Sequence, residues 1–131
     1  MREIKFRGRS CGFWAHGNLH IRKHDEYGDC AYIIGFTQNP SSTTIVDMNT
    51  IGQLTGLHDK NGKEIYEGDI VRYSLDDRKD IGYVGFHALS ASFRVIAKHT
   101  DFAIGNRGRL HELNLEVIGN IHDNPELLKG K

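Results

Sequence analysis

A chain of 131 residues with 38% hydrophobic and 26% charged residues can bury a core of its own, so it requires neither disulfides nor a structural metal to fold. Its 17 Lys and Arg are balanced by 17 Asp and Glu, which excludes a global field that would draw it onto nucleic acid or an anionic membrane and leaves only local patches. With 15 glycines and 2 prolines it reads as globular and turn-rich, and no run approaches the roughly 20 apolar residues that span a bilayer.

In chain order, short runs rich in β-branched and aromatic residues alternate with turn signals. IKFR at 4–7, FWAHGNLHI at 13–21, AYIIGF at 31–36 and TTIV at 43–46 are each too short or too Gly-interrupted for a stable helix, and are predicted strands. TQNPSSTT at 37–44 reads as an exposed loop; if the single domain has two lobes, they meet near 37–50. After the central motif, IGYVGF at 81–86, SFRVIA at 92–97 and LEVIGNI at 115–121 repeat the strand pattern. Leu110, Leu113 and Leu115 lie close to helical spacing, which predicts a short helix within 107–116. In HDNPELLKGK, Asn124 is an N-cap candidate with Pro125 at the first helical position and Glu126 in the first turn. The fold class is mainly β with a short C-terminal helical turn.

The most specific stretch is TGLHDKNGKEIYEGDIVRY at 55–73. Asp59, Lys60, Asn61 and Gly62 give a hairpin signal between Leu57 and Ile65, with Asn-Gly suited to the positive φ angles of tight β-turns. Glu67-Gly68-Asp69 reads as a corner: Gly68 adopts backbone angles costly to other residues, and Asp69 accepts from nearby N–H groups. In the strand that follows, Ile70 and Arg72 face one way and Val71 and Tyr73 the other, so only one pair belongs fully to the core. An acidic catalytic or calcium site from Asp59, Glu64, Glu67 and Asp69 is the competing reading; Lys60 and Lys63 interrupt the alternate oxygen ligands such a loop needs.

His16, His20 and His24 stand four residues apart between Cys11 and Cys30, a set that invites a zinc site. In a strand that spacing separates neighbours by about 13 Å, which a metal with bonds near ~2 Å does not bridge. Surface histidines are expected there, with no metal, and IGNRGR at 104–109 is read as a solvated turn. GxSxG, GxxxxGK[ST] and GxGxxG are all absent, so acyl transfer, nucleotide hydrolysis and dinucleotide chemistry lack their usual cradles. The expectation is a non-enzymatic protein with no cofactor and no catalytic residue, its binding residues unassigned. The opening MREIKF lacks the apolar stretch of a signal peptide, so a cytoplasmic address with reduced thiols is expected.

MREIKFRG at the start, TIGQLTGLHDKNGKEIYEGDIVR in the centre and EVIGNIHDNPELL at the close, with Trp14 and Gly17-Asn18-Leu19 fitting W-x-x-G-x-L, together resemble the YopX family of small phage and prophage proteins. The resemblance implies a compact, mainly β phage protein in the host cytoplasm with a small SH3-like β-barrel around the GDIV strand, and it implies no reaction, cofactor or ligand. The favoured function is a binding module contacting a host or phage protein. A nucleic-acid-binding barrel is the alternative, with Phe6, Arg7, Arg9, Phe13 and Trp14 as its aromatic and basic material. A small-metabolite pocket is the third reading. Unpaired sheet edges make a homo-oligomer the expected assembly.

Overall fold

The computed structural model describes residues 3–23, 26, 28–35, 43–104 and 113–129. The chain is mainly β, with its strands in two antiparallel sheets. It divides into two compact units, Met1–Leu54 and Thr55–Lys131.

The first unit is an antiparallel sheet of β1 (Phe6–Ser10), β2 (Phe13–Arg22), β3 (Cys30–Gly35) and β4 (Thr43–Val46), with the start of β5 (Gly52–His58) on the far side of β1. Cys11 and Gly12, both at positive φ, make the two-residue turn that returns β1 into β2, matching the twist a tight hairpin requires. One face is apolar: Ala31, Ile33 and Val46 are buried and pack with Phe6, Ala15, Leu19 and Ile51. The sheet curls so far that a Cβ on Gly8 would lie 2.6 Å from Val46 Cγ2. The curl is fastened by hydrogen bonds, Asp47 N–H donating to the Arg9 carbonyl at 2.8 Å and Arg9 N–H donating to the side-chain Oγ1 of buried Thr50 at 2.8 Å.

The second unit holds the rest of β5, paired with β6 (Glu64–Tyr66), and a five-stranded sheet in the order β10-β9-β8-β7-β11. These strands are β7 (Asp69–Leu75), β8 (Arg78–His87), β9 (Ser92–Ile96), β10 (Asp101–Ala103) and β11 (Glu116–Asn120). The GDIV strand, β7, lies inside this sheet between β8 and β11, and the pairings give no closed barrel among the described residues. Ile65, Val71, Tyr73, Val84, Val95, Ile104, Leu113 and Leu115 form the core. Buried Thr55 joins β5 to β6, its hydroxyl donating to the Ile65 carbonyl at 2.7 Å.

Strand alternation in β7 holds at Val71 and Tyr73, which enter the core, and at exposed Arg72, but Ile70 is buried as well. Both faces are therefore covered at this end of the strand, where the pairing of Asn120 with Asp69 is carried one step further by Ile121 N–H donating to the Gly68 carbonyl at 2.8 Å. Pro125–Leu128 forms the expected terminal turn, a 3₁₀ helix, but Asn124 does not cap it by its side chain; its Oδ1 accepts from Asn120 N–H at 3.2 Å instead. The expected helix within 107–116 and the loop at 37–44 fall largely outside the described residues, as do IGNRGR beyond Ile104 and His24. Among the described residues no helix is long and apolar enough to cross a membrane.

Candidate functional site

The hairpin and corner of 55–73 use two of the four candidate carboxylates, Asp59 and Asp69, to hold the backbone. Asp59 Oδ1 accepts from Asn61 N–H and Lys63 N–H, both at 2.9 Å, while its Oδ2 accepts from Val117 N–H at 2.9 Å. Burial pushes the Asp59 carboxyl up, yet the N–H groups of Val117, Lys63 and Asn61, together with the Lys63 charge, outweigh it and hold the group below its ordinary 3.8. Asn61 keeps a negative φ and only Gly62 turns positive, at 84°, so the loop is a turn closed by a left-handed glycine rather than a paired Asn-Gly I′ turn. At the corner Gly68 has φ 89°, and Asp69, 2% exposed, accepts from Tyr66 N–H at 2.8 Å. These groups shape the backbone, and the described residues bring no three His, Cys, Asp or Glu together in a metal-holding group.

His16 and His20 lie on one exposed face of β2, and the two cysteines are far apart along it. Cys11 is in the turn before β2, while Cys30 pairs with Arg22 at its far end, about 35 Å away at strand rise. Both thiols are free.

Register assembles a surface that no single segment contains. Residues directly opposite on paired strands share a face. His16 is opposite Arg7 and Trp14 opposite Arg9; His20 is opposite Tyr32, which is opposite Ile45; Arg22 is opposite Cys30, and Asn18 is opposite Ile34. All of them lie on the side of the sheet away from Ala31, Ile33 and Val46. The His20 and Tyr32 rings are 6.3 Å apart at 37°, and the Arg7 guanidinium sits 4.8 Å from the Trp14 ring centre. Ile34 and Ile45 are 37% and 62% exposed at the β3–β4 edge of this surface. Glu3, Glu26, Asp29 and Asp47, the acidic residues described in this unit, all lie outside its strands, so among the described residues the face carries arginine and histidine but no strand carboxylate.

In the second unit two open depressions, of about 600 and 440 Å³, share Asp80 and His99. The larger has Ile81, Tyr83 and Ile96 on one side, with Leu127 and Leu128 of the terminal turn, and Lys79 and Lys98 at its margin. The smaller is bordered by Tyr73, Arg78 and Thr100. Burial, aided by the Asp80 charge, raises the Tyr73 phenol above its ordinary value and keeps it neutral.

The model of the YopX protein family matches residues 5–129. The chain belongs to the YopX family. A crystal structure of protein EF1440 from Enterococcus faecalis is 26% identical, covers 98% of this chain and 99% of its own, and superposes with a TM-score of 0.53. Protein yopX from Bacillus subtilis is 22% identical with 100% and 99% covered and a TM-score of 0.58, a likeness of fold. No curated protein matches the chain.

For this YopX chain the aromatic and basic set read from the sequence is only partly presented. Phe6 packs in the core, Arg7 is 8% exposed beside Trp14, and Phe13, though 53% exposed, has core-side parity at a strand end. Arg9 and Trp14 remain on the outer face, joined there by His16, His20, Arg22 and Tyr32. The signal for this was present in FWAHGNLHIR, whose alternate positions Trp14, His16, Asn18, His20 and Arg22 are all polar or aromatic.

Proposed function

We propose that the outer face of the first unit's sheet binds single-stranded nucleic acid without catalysis. The observation that carries this reading is the juxtaposition of the Trp14, His20 and Tyr32 rings with Arg9 and Arg22 on one sheet face that bears no carboxylate among the described residues. Rings offer bases a stacking surface that tolerates any sequence, and arginines meet the phosphates between them. A net charge of zero does not oppose this, because the acidic residues described in the unit are kept off its strands. The setting is the cytoplasm of a bacterium carrying a phage or prophage, which the family resemblance implies.

Trp14 is the only tryptophan and lies on the proposed surface, so its emission is a built-in reporter. Titration with a dodecamer of dT or rU at low salt is expected to quench it saturably, with duplex DNA much weaker. Unchanged emission with both oligomers would refute the reading. A second reading, a protein partner, is favoured by Ile34 and Ile45, since exposed aliphatics beside an aromatic and arginine-bearing patch are also the anatomy of a protein interface. Such a partner would bind with no competition from oligonucleotides.

A further inference from the structure

We infer that the tip of the β8–β9 hairpin is a knob that docks into the larger depression of the second unit on another copy of this chain, a weak head-to-tail association. Knob and depression are unlike surfaces, one convex and one concave, and the chain carries both.

The knob is apolar, uncharged and held in one shape. Residues 86–93, FHALSASF, contain no Lys, Arg, Asp or Glu in a chain of which 26% is charged. Leu89 is 95% exposed and Phe86 50%. The turn that holds Leu89 out is fixed by its own bonds: Ser90 N–H donates to His87 Nδ1 at 3.2 Å, Ser90 Oγ lies 2.8 Å from Ser92 Oγ, and Ala91 N–H donates to the Ala88 carbonyl at 3.3 Å. At its base the Phe86 and Phe93 rings meet edge to face, 5.3 Å apart, and Phe93 packs against the core. A leucine displayed on a turn already ordered gives up little freedom on docking. A tip built for an anionic bilayer or for nucleic acid sets cations beside its apolar groups, and this one has none. The charge-depleted, aromatic centre of a protein interface is the surface it matches.

The depression offers an apolar floor. Alternation along β8 turns Ile81 and Tyr83 to the sheet face away from the core, where Tyr83 is opposite Ile96 of β9. Leu127 and Leu128 of the terminal 3₁₀ turn border the same space of about 600 Å³, and all five side chains are only half-buried. Lys79, Lys98, Asp80 and His99 also line it. Those charges are of both signs and select no ion, so an uncharged side chain is the occupant that uses the floor.

The knob does not reach the depression of its own chain. His87, at the end of β8, is six residues beyond Ile81, about 20 Å away at strand rise, and the turn carries Leu89 further. Docking is therefore between copies. Because the two surfaces differ, the contact is heterologous and builds a ring or an open chain rather than a two-fold dimer. One hairpin tip buries far less than the roughly 800 Å² per partner of a standard interface, so the association forms only at high concentration.

The test uses the full chain and methyl NMR across a dilution series from millimolar to micromolar. Signals of Leu89 on the knob and of Ile81, Ile96 and Leu128 in the depression are expected to shift together. Leu89→Asp, at a fully exposed position, removes the knob, and Leu128→Asp fouls the depression; each should lose the concentration dependence. Mixing the two restores one intact contact: labelled Leu89→Asp protein should show the depression shifts when unlabelled Leu128→Asp protein is added, saturating at one to one with no larger species by light scattering. Parent signals that ignore dilution, a Leu89→Asp protein that self-associates like the parent, or a folded Leu128→Asp protein that fails to complement would each overturn the inference. So would Leu89 responding to phosphatidylcholine vesicles and not to dilution, which would assign the tip to a lipid surface. The inference is independent of the nucleic-acid reading, because both surfaces belong to the second unit.

Discussion

The carboxylate of Asp59 reaches across 58 positions of sequence to accept the Val117 N–H at 2.9 Å, tying the loop of the central hairpin to β11. The same loop is held a second time by the backbone, Lys60 N–H donating to the Leu115 carbonyl at 2.8 Å. Removing the acid by Asp59→Ala strands three backbone donors at a buried site, each of which costs on the order of 1 kcal/mol or more when left unsatisfied. A loss of roughly 2–4 kcal/mol is expected in chemical denaturation. A variant as stable as the parent would show that water replaces the carboxylate without cost.

The charge of Asp59 gives a pH dependence of definite sign. Its folded pKa lies below the ordinary 3.8, so the unfolded chain binds the proton first as pH falls. The stabilisation is fully present above about pH 3.8 and is lost as pH drops through the lower folded value. Asp59→Asn removes that titration. Melting curves of parent and variant should differ most near neutrality and converge in acid; a gap that stays constant down to strongly acid pH would contradict the assignment.

The corner at Gly68 and Asp69 separates shape from chemistry. Gly68 sits at φ 89° with its N–H donating to the Val84 carbonyl and its carbonyl accepting from Ile121 N–H, both at 2.8 Å, so the angle is held from two directions. Gly68→Val forces a β-branched residue into left-handed space and should destabilise by roughly 1 kcal/mol or more. Asp69→Asn retains an oxygen for Tyr66 N–H and should be milder. Thermal melts run beside the oligonucleotide assay check both: an Asp69→Asn protein that melts normally and has lost all binding would make this carboxylate functional rather than architectural.

Turn chemistry was legible because its causes are local: the Asp59 acceptor, the left-handed Gly62 and the corner at Gly68 each act within a few residues, and their residue types announce them. Where distant segments meet, the sequence is mute. Ile70 is buried on the face of β7 that its alternation with Val71 would leave open, and Asn124 bonds Asn120 rather than its own helix end, neither of which follows from neighbours in sequence. The outer face of the first unit is of this second kind. The alternation in β2 was visible, but that His20 meets Tyr32, and Tyr32 meets Ile45, depends on the registers of β2 with β3 and β3 with β4.

Gly8 tests the curl of that sheet. With Val46 Cγ2 only 2.6 Å from where a Cβ would stand, and Val46 itself 5% exposed, even Gly8→Ala must displace β4 or its valine. Overpacking of this kind costs about 1–3 kcal/mol. Hydrogen exchange should show the loss concentrated in β1 and β4, and a Gly8→Ala, Val46→Ala pair should recover part of it. Recovery of none, with β1 exchanging normally, would mean that the two strands do not meet as described.

Stacking and charge on the outer face are separable by salt. Each phosphate neutralised on a single strand contributes about −0.7 to the slope of log affinity against log salt, so Arg9 and Arg22 together should give a slope near −1.4. Tyr32→Ala removes a stacking ring and no charge: affinity should fall by roughly 1–3 kcal/mol at every salt concentration with the slope unchanged. Arg22→Gln removes a charge and no ring, lowering affinity mainly at low salt and bringing the slope to about −0.7. Arg22 and Tyr32 are diagonal neighbours on one face, since Arg22 is opposite Cys30 and Tyr32 lies two residues further along β3, so the double variant reads their coupling. Oligonucleotide binding whose slope ignores Arg22 and whose strength ignores Tyr32 would place the nucleic acid elsewhere on the protein, and a surface exposing Ile34 and Ile45 would then be assigned to a protein partner.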